Sequence, residues 1–216
     1  MMTTEQEKFW NGQFGKDYTD RNPQNSLEMN EYYLKNFGIS RIDMNKKFLS
    51  DMPYDLNILE VGCNIGSQLQ ILQEMGFKNL YGIELQDYAV EQAKRHTRNI
   101  NIIQGSGFDI PFRDQYFDIV YTSGVLIHIA PINHQRIMSE ISRCTKKYIW
   151  GYEYYAESVQ EISYRGNNGF LWKADYANIF VQSIPNLRIT KKEFFPYLSD
   201  TEKGNIDCMY LIEKQL

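Results

Sequence analysis

The chain has 216 residues, 43% of them hydrophobic and 23% charged, which is enough for one domain with a buried core and ordinary for a soluble globular protein. A net charge of -4 and a pI of about 5.5 disfavour nucleic acid as the primary partner, because a duplex binder presents a basic face. No run approaches the length of a membrane span, and the polar start "MMTTEQEKFW" lacks the basic and apolar regions of a signal peptide.

Cys63, Cys144 and Cys208 stand far apart with no CxxC spacing. An odd, scattered set reads as reduced thiols in a cytoplasmic protein, not as disulfides or a zinc site, and no other metal site is expected. Aromatics make up 14% of the chain, with 16 tyrosines. Core packing accounts for most of them, and the rest favour a pocket or an interface.

In chain order, residues 1–50 read as a polar, aromatic, helical lid. "FWNGQFGKDYTDRN" has the character of an ordered lid segment, and the apolar spacing of "SLEMNEYYLKNF" predicts an amphipathic helix. From Asn57 short apolar runs alternate with helical patterns. "NILEV", "NLYGIE", "NINIIQ", "FDIVYT" and "KKYIWGYE" are predicted strands. "SQLQILQEM", "QDYAVEQAKRH" and "NHQRIMSEISRC" are predicted helices, with His96 and His134 expected to be solvent-exposed. After Tyr155, "LWKADYANIFVQSI" reads as helical, and "LRITKKEFF" and "DCMYLIEK" read as a strand pair. The expectation is a doubly wound, Rossmann-like α/β fold: a mostly parallel seven-stranded sheet closed by an antiparallel C-terminal hairpin. We expect a single domain over 1–216, with the lid at 1–50, a ligand-binding core at 51–155 and a substrate-side, sheet-completing part at 156–216.

The stretch "LEVGCNIGSQL", Leu59 to Leu69, carries the chemistry. Glycines after the first strand let a ligand approach the backbone, and the next helix offers its N-terminal N–H groups. No Lys-Ser/Thr pair follows, so a P-loop is excluded, and the NAD pattern would need glycine at 62, 64 and 67, where only Gly62 complies. Read as E-x-G-x-G-x-G, the stretch has Glu60, Gly62 and Gly66, with Asn64 as the one departure. Asn is the mildest replacement, because it tolerates positive φ.

In this pattern the sequence resembles the class I S-adenosylmethionine-dependent methyltransferases. The resemblance implies that S-adenosylmethionine is the cofactor and S-adenosylhomocysteine the product, held by Glu60, Gly62, Cys63, Asn64 and Gly66. Glu84, closing "NLYGIE", would accept the ribose hydroxyls, with Leu85 against the adenine. In "IIQGSGFDIPF", Ser106, Gly107 and Phe108 would neighbour the base, Ser106 standing where an acidic residue is usual. "FDIVYTSGVLIHI" would place Ser123 near the methionine part, and Tyr18 and Arg21 resemble lid residues closing over the methionine carboxylate.

"EKFWNGQFGKDYTDRN", "GVLIHI", "EYYAESVQEISYRG" and "GFLWKADY" are similar to the small methylases associated with pseudaminic acid biosynthesis. Ser123 stands where that pattern has a basic residue, and "LWKADY" varies a Lys-Arg-Asp run. This narrower resemblance implies methyl transfer to an O or N atom of a small anionic metabolite, a nonulosonic acid or related surface-sugar precursor. His128, Glu153 and Tyr154 are the candidate catalytic residues. His128 is either a base or a packing residue of its turn. Glu153, Tyr154 and Tyr155 are expected at the pocket mouth, one of the two tyrosines serving packing. Tyr155, Tyr164, Arg165 and Lys173 are candidate acceptor ligands, the last two suiting a carboxylate or phosphate, or forming a surface ion pair with Asp175. The protein would act as a monomer or homodimer, with neither nucleic acid nor membrane as partner. The alternatives are a non-catalytic S-adenosylmethionine-binding partner module, or a methyltransferase acting on another small molecule or on a protein.

Overall fold

The computed structural model describes residues 3–215. Two compact units divide the chain, Met1–Gly107 and Phe108–Leu216. The architecture is the expected Rossmann-like α/β fold with a seven-stranded, mostly parallel sheet. No helix among the described residues is long and apolar enough to cross a membrane.

The first unit opens with four helices, α1 (Glu5–Trp10), α2 (Gln13–Arg21), α3 (Ser26–Phe37) and α4 (Arg41–Leu49). Their starts are set by local chemistry. Thr4 and Glu7 form a reciprocal capping box on α1, and Asn25 and Ser40 accept the N–H groups of Glu28 and Asp43 at the starts of α3 and α4. Each such cap is worth about 0.5–2 kcal/mol. Helix α4 has no counterpart in the apolar pattern for a clear reason. Its buried face runs Arg41, Met44, Asn45, Phe48 and Leu49, the helical i, i+3, i+4, i+7, i+8 spacing with two polar members. Arg41 is fully buried, its Nε donating to Asn45 at 3.2 Å and its Nη1 to the Tyr33 hydroxyl at 2.9 Å.

Then β1 (Asn57–Val61), α5 (Ser67–Glu74), β2 (Asn79–Glu84), α6 (Asp87–His96) and β3 (Asn101–Gln104) alternate. The strands lie parallel in the order β3-β2-β1. Ile58, Leu59, Leu80 and Ile83 are buried in them, as are Leu69, Ile71 and Leu72 of α5. Full burial of each such side chain contributes about 1.5–3 kcal/mol.

The second unit holds β4 (Phe117–Ser123), α7 (His134–Cys144), β5 (Thr145–Tyr154), β6 (Gln160–Glu161), β7 (Trp172–Lys173), α8 (Tyr176–Ser183), β8 (Leu187–Pro196) and β9 (Ile206–Lys214). Its strands run in the order β4-β5-β9-β8, with β4 and β5 parallel and the other pairings antiparallel, so the C-terminal hairpin is as expected. Gly151 on β5 faces Tyr210 on β9, and a Cβ there would lie 2.1 Å from the phenol ring.

Three expectations need correction. The helix expected over 171–184 starts only at Tyr176, where Asp175 accepts the Asn178 N–H at 3.2 Å, and Trp172–Lys173 is instead a short strand paired with β6. His134 is buried, its Nε2 donating to the Ile129 carbonyl at 2.9 Å and its ring edge-on to Tyr176. Asp175 pairs with Lys192 at 2.5 Å, whereas an ion pair with Arg165 or Lys173 was the expected surface alternative. His96 is exposed, as expected.

Candidate functional site

In the first unit the turn after β1 is built from backbone donors. Gly62 and Cys63 donate to the Ile83 carbonyl at 2.8 and 3.0 Å, and Gly66 donates to the Cys63 carbonyl at 2.8 Å. Gly62, Asn64 and Gly66 have φ of 74°, 46° and 80°. Left-handed residues at alternate positions make a concave backbone loop, and Asn is among the few side chains that tolerate one. The Asn64 N–H donates to Glu84 Oε2 and the Gln86 N–H to Glu84 Oε1, both at 2.9 Å. Burial pushes the Glu84 carboxyl up, opposed by the backbone N–H groups of Gln86, Asn64 and Leu85.

Asn64 Oδ1 is a buried acceptor without a partner. It suits a ligand with a donor to offer, and the concave loop suits one with a carboxylate, so both ends of an amino-acid group fit here. Glu60 is buried on β1. Burial pushes the Cys63 thiol well above its usual range, so it is inert. Leu85 is half-buried, its carbonyl accepting from Gln104 Nε2 at 3.1 Å.

Ser106 donates its hydroxyl to Glu7 at 2.6 Å, which ties the start of α1 to the turn after β3. Gly107 follows it. On α2, the Arg21 guanidinium lies over Phe14 and Tyr18 at 5.2 and 5.3 Å, and Trp10 meets Tyr18 edge-on at 5.0 Å. Two residues that hold α1 and α2 were not legible in the sequence. The Gln86 carboxamide donates to the carbonyls of Trp10 and Gly12 at 2.9 and 3.0 Å, and Tyr88 donates to Asp20 at 2.7 Å. Their position after Glu84 was the only signal, and nothing local pairs them with residues some seventy positions earlier.

In the second unit, β4 ends at the half-buried Ser123. Gly124, at φ 67°, donates to the Tyr152 carbonyl at 2.9 Å, and a 3₁₀ turn follows over Leu126–His128. His128 is buried, with Nδ1 on the Phe170 carbonyl at 2.7 Å and its ring 5.2 Å from that of Tyr164. A carbonyl only accepts, so Nδ1 carries the proton and Nε2 is the ring's acceptor. Burial pushes the imidazole down to about 4, so it is neutral near pH 7.

Glu153 is not at a pocket mouth. It is 2% exposed, and its carboxylate accepts the N–H groups of Val125 and Leu126 at 3.3 Å and of Ile127 at 3.4 Å. Burial raises it to about 7, against these bonds and one from Thr122. Tyr154 is half-buried, stacked on Tyr197 at 5.7 Å, with its hydroxyl donating to Glu202 at 3.3 Å. Burial pushes this phenol up. Tyr155 packs edge-on against Phe194 at 4.7 Å beneath Lys192, the packing role foreseen for one of the pair. Phe108 is buried under the Arg136 guanidinium, 4.5 Å from its ring.

Tyr164, Arg165 and Lys173 share one hairpin. Gln160 pairs with Lys173 at its foot, and Tyr164 pairs with Asn167 across a two-residue turn at its tip. Arg165 and Gly166 fill that turn at φ 50° and 81°, with Arg165 exposed. Lys173 lies 4.7 Å over the Tyr154 ring and donates to Asn205. The structure therefore puts the two cations at opposite ends of the hairpin.

Residues 59–148, from the glycine turn through the start of β5, match a family described as a methyltransferase domain. The chain is similar to 24-methylenesterol C-methyltransferase 2 of Arabidopsis thaliana, at 26% identity over 41% of the chain and 26% of that enzyme. The match thus spans about a quarter of that relative's length. It is also similar to a ubiquinone/menaquinone biosynthesis C-methyltransferase of Campylobacter jejuni, at 25% identity over 69% of the chain and 64% of that enzyme. Among solved structures, the 1,6-didemethyltoxoflavin-N1-methyltransferase of Burkholderia thailandensis, with bound S-adenosylhomocysteine, superposes with a TM-score of 0.64 at 11% identity, covering 81% of the chain and 76% of that protein. At that identity the likeness is one of fold.

Proposed function

We propose that the whole chain, as a single catalytic domain, is a methyltransferase that moves a methyl group from S-adenosylmethionine to an O or N atom of a small anionic metabolite, a nonulosonic acid or related surface-sugar precursor. The observation that carries the reading is the left-handed loop tied through Asn64 to Glu84. It joins a concave backbone to a carboxylate in one rigid unit. S-adenosylmethionine supplies a methyl group activated on a sulfonium.

Gly62, Asn64 and Gly66 would hold its amino-acid end, Glu84 its ribose, and Leu85, Ser106, Gly107 and Phe108 its base. Tyr18 and Arg21 would close the lid, and Ser123, at the end of β4, would lie near the methionine part. Tyr154, Tyr164, Arg165 and Lys173 bind and orient the acceptor. Such positioning contributes on the order of 7–11 kcal/mol to a bimolecular displacement. His128, neutral with its acceptor at Nε2, takes the proton as a hydroxyl acceptor reacts, an assistance worth roughly 10²–10⁴-fold. The anionic acceptor class is supported by Arg165, an exposed cation held in a left-handed conformation that a glycine would adopt more cheaply.

A carbon acceptor is the second reading, favoured by relatives at about a quarter identity that are named C-methyltransferases. The deciding experiment is isothermal titration with S-adenosylmethionine and S-adenosylhomocysteine, followed by methyl transfer to sugar-acid and to quinone-precursor pools. Binding of both ligands with transfer to the sugar acids is the expected result. Absence of binding overturns the cofactor, and transfer only to the quinone precursors overturns the acceptor.

A further inference from the structure

We propose that Glu153 is a positioning residue: its buried carboxylate gathers three successive backbone N–H groups of the turn after β4 and thereby sets the place and tautomer of the His128 imidazole. The link to catalysis rests on the proposed use of His128 as base, whereas the positioning itself does not.

The first N–H groups of a helical turn have no acceptor within the turn. Here those of Val125, Leu126 and Ile127 converge on the two oxygens of Glu153 at 3.3, 3.3 and 3.4 Å. The His128 N–H closes the turn on the Val125 carbonyl at 2.9 Å. The ring is gripped from the other side by the Phe170 carbonyl and the Tyr164 ring. The imidazole therefore sits between a carboxylate-held backbone and the hairpin, and a shift of the turn takes Nδ1 off its carbonyl.

The groups facing Glu153 are the Thr122 hydroxyl from β4 and the phenols of Tyr210 from β9 and Tyr176 from α8. Only an anion accepts from every donor around it, and protonation or amidation turns one oxygen position into a donor aimed at an N–H. At 2% exposure, with its oxygens on the turn, Glu153 is poorly placed to act on an acceptor itself.

The chain has three histidines, so ¹⁵N-histidine spectra resolve each ring, with assignment by single His→Gln variants. In the wild type, His128 should be neutral with its proton on Nδ1 while Glu153 is ionised, above about pH 7, its own titration lying near 4. In Glu153→Gln, checked for a cooperative thermal transition, a population protonated on Nε2 should appear, with a titration that no longer matches that of the wild type. An unchanged tautomer and titration in a folded Glu153→Gln overturns the proposal. If that variant does not fold, the wild-type amide protons of Val125, Leu126 and Ile127 decide. They should move upfield together with one midpoint, near 7, as Glu153 takes its proton. Three amides that stay put, or move with unrelated midpoints, overturn it. A chain that fails to bind S-adenosylmethionine yet shows this coupling loses the methyltransferase reading and keeps the positioning role.

Discussion

The backbone N–H of Asn64 donates to the Glu84 carboxylate at 2.9 Å, and that bond couples the shape of the glycine loop to the end of the neighbouring strand. The same carboxylate caps Gln86 at 2.9 Å. One residue therefore holds the loop, starts the segment that leads into α6, and keeps acceptor capacity for a ligand.

Glu84→Ala should weaken both S-adenosylmethionine and S-adenosylhomocysteine by about 1–3 kcal/mol, the range for leaving buried polar partners unpaired. Glu84→Gln keeps one oxygen and should fall between the alanine variant and the wild type. Isothermal titration reads this directly, and equal affinities across the three proteins would remove Glu84 from the binding surface.

Gly15 on α2 has no room for a side chain, since a Cβ would lie 1.9 Å from the Trp10 carbonyl oxygen and 2.6 Å from Gln86 Nε2. Gly15→Ala should therefore break the Gln86 bonds that hold α1 and α2 and cost about 1–3 kcal/mol. Limited proteolysis should then cut within residues 5–21 at a protease concentration that leaves the wild type intact. Unchanged proteolysis and unfolding midpoint would show that these two helices do not depend on this packing.

Arg165→Gly relieves an exposed left-handed residue, so stability should rise by up to about 1 kcal/mol. If the side chain holds an anionic group of the acceptor, the same variant should raise KM for the acceptor with little change in kcat. Urea midpoints and steady-state rates separate the two effects. A lower KM, or a loss confined to kcat, would refute the anion-binding role.

His128 has a depressed folded-state value, so its contribution to stability is present above its unfolded value near 6.5 and is lost as pH falls towards about 4. Glu153 has a raised value, so its contribution is present below about 4.5 and is lost as pH rises towards about 7. The two slopes oppose each other between about 4.5 and 6.5. His128→Phe should remove one of them, so that its stability relative to the wild type rises on acidification from pH 6.5 to 4, by on the order of 3 kcal/mol. Urea unfolding across that range checks the sign, and parallel curves for the two proteins would contradict it.

The alternation of apolar strand and amphipathic helix from Asn57 onward was legible because a two-faced parallel sheet writes itself as continuous apolar runs. The glycine loop was legible for a similar reason, since left-handed positions restrict residue choice to Gly and Asn. Helix α4 was hidden by Arg41 and Asn45, polar residues on its buried face, Arg41 donating to Asn45 on that helix and to Tyr33 on α3. The strand of Trp172–Lys173 was hidden because two residues carry no period, and only pairing with Gln160–Glu161 defines it.

The chain order of residue types thus determined the strand and helix alternation from Asn57 and the glycine loop, because helix period, strand period and positive φ are local constraints. Which way each functional side chain faces was decided only by tertiary structure. Glu153 and His134 read as accessible polar residues, yet both are buried on backbone groups brought to them by the fold. A buried carboxylate or imidazole is tolerated only where such partners complete its hydrogen bonds. Those partners come from other turns and strands, which no local pattern records.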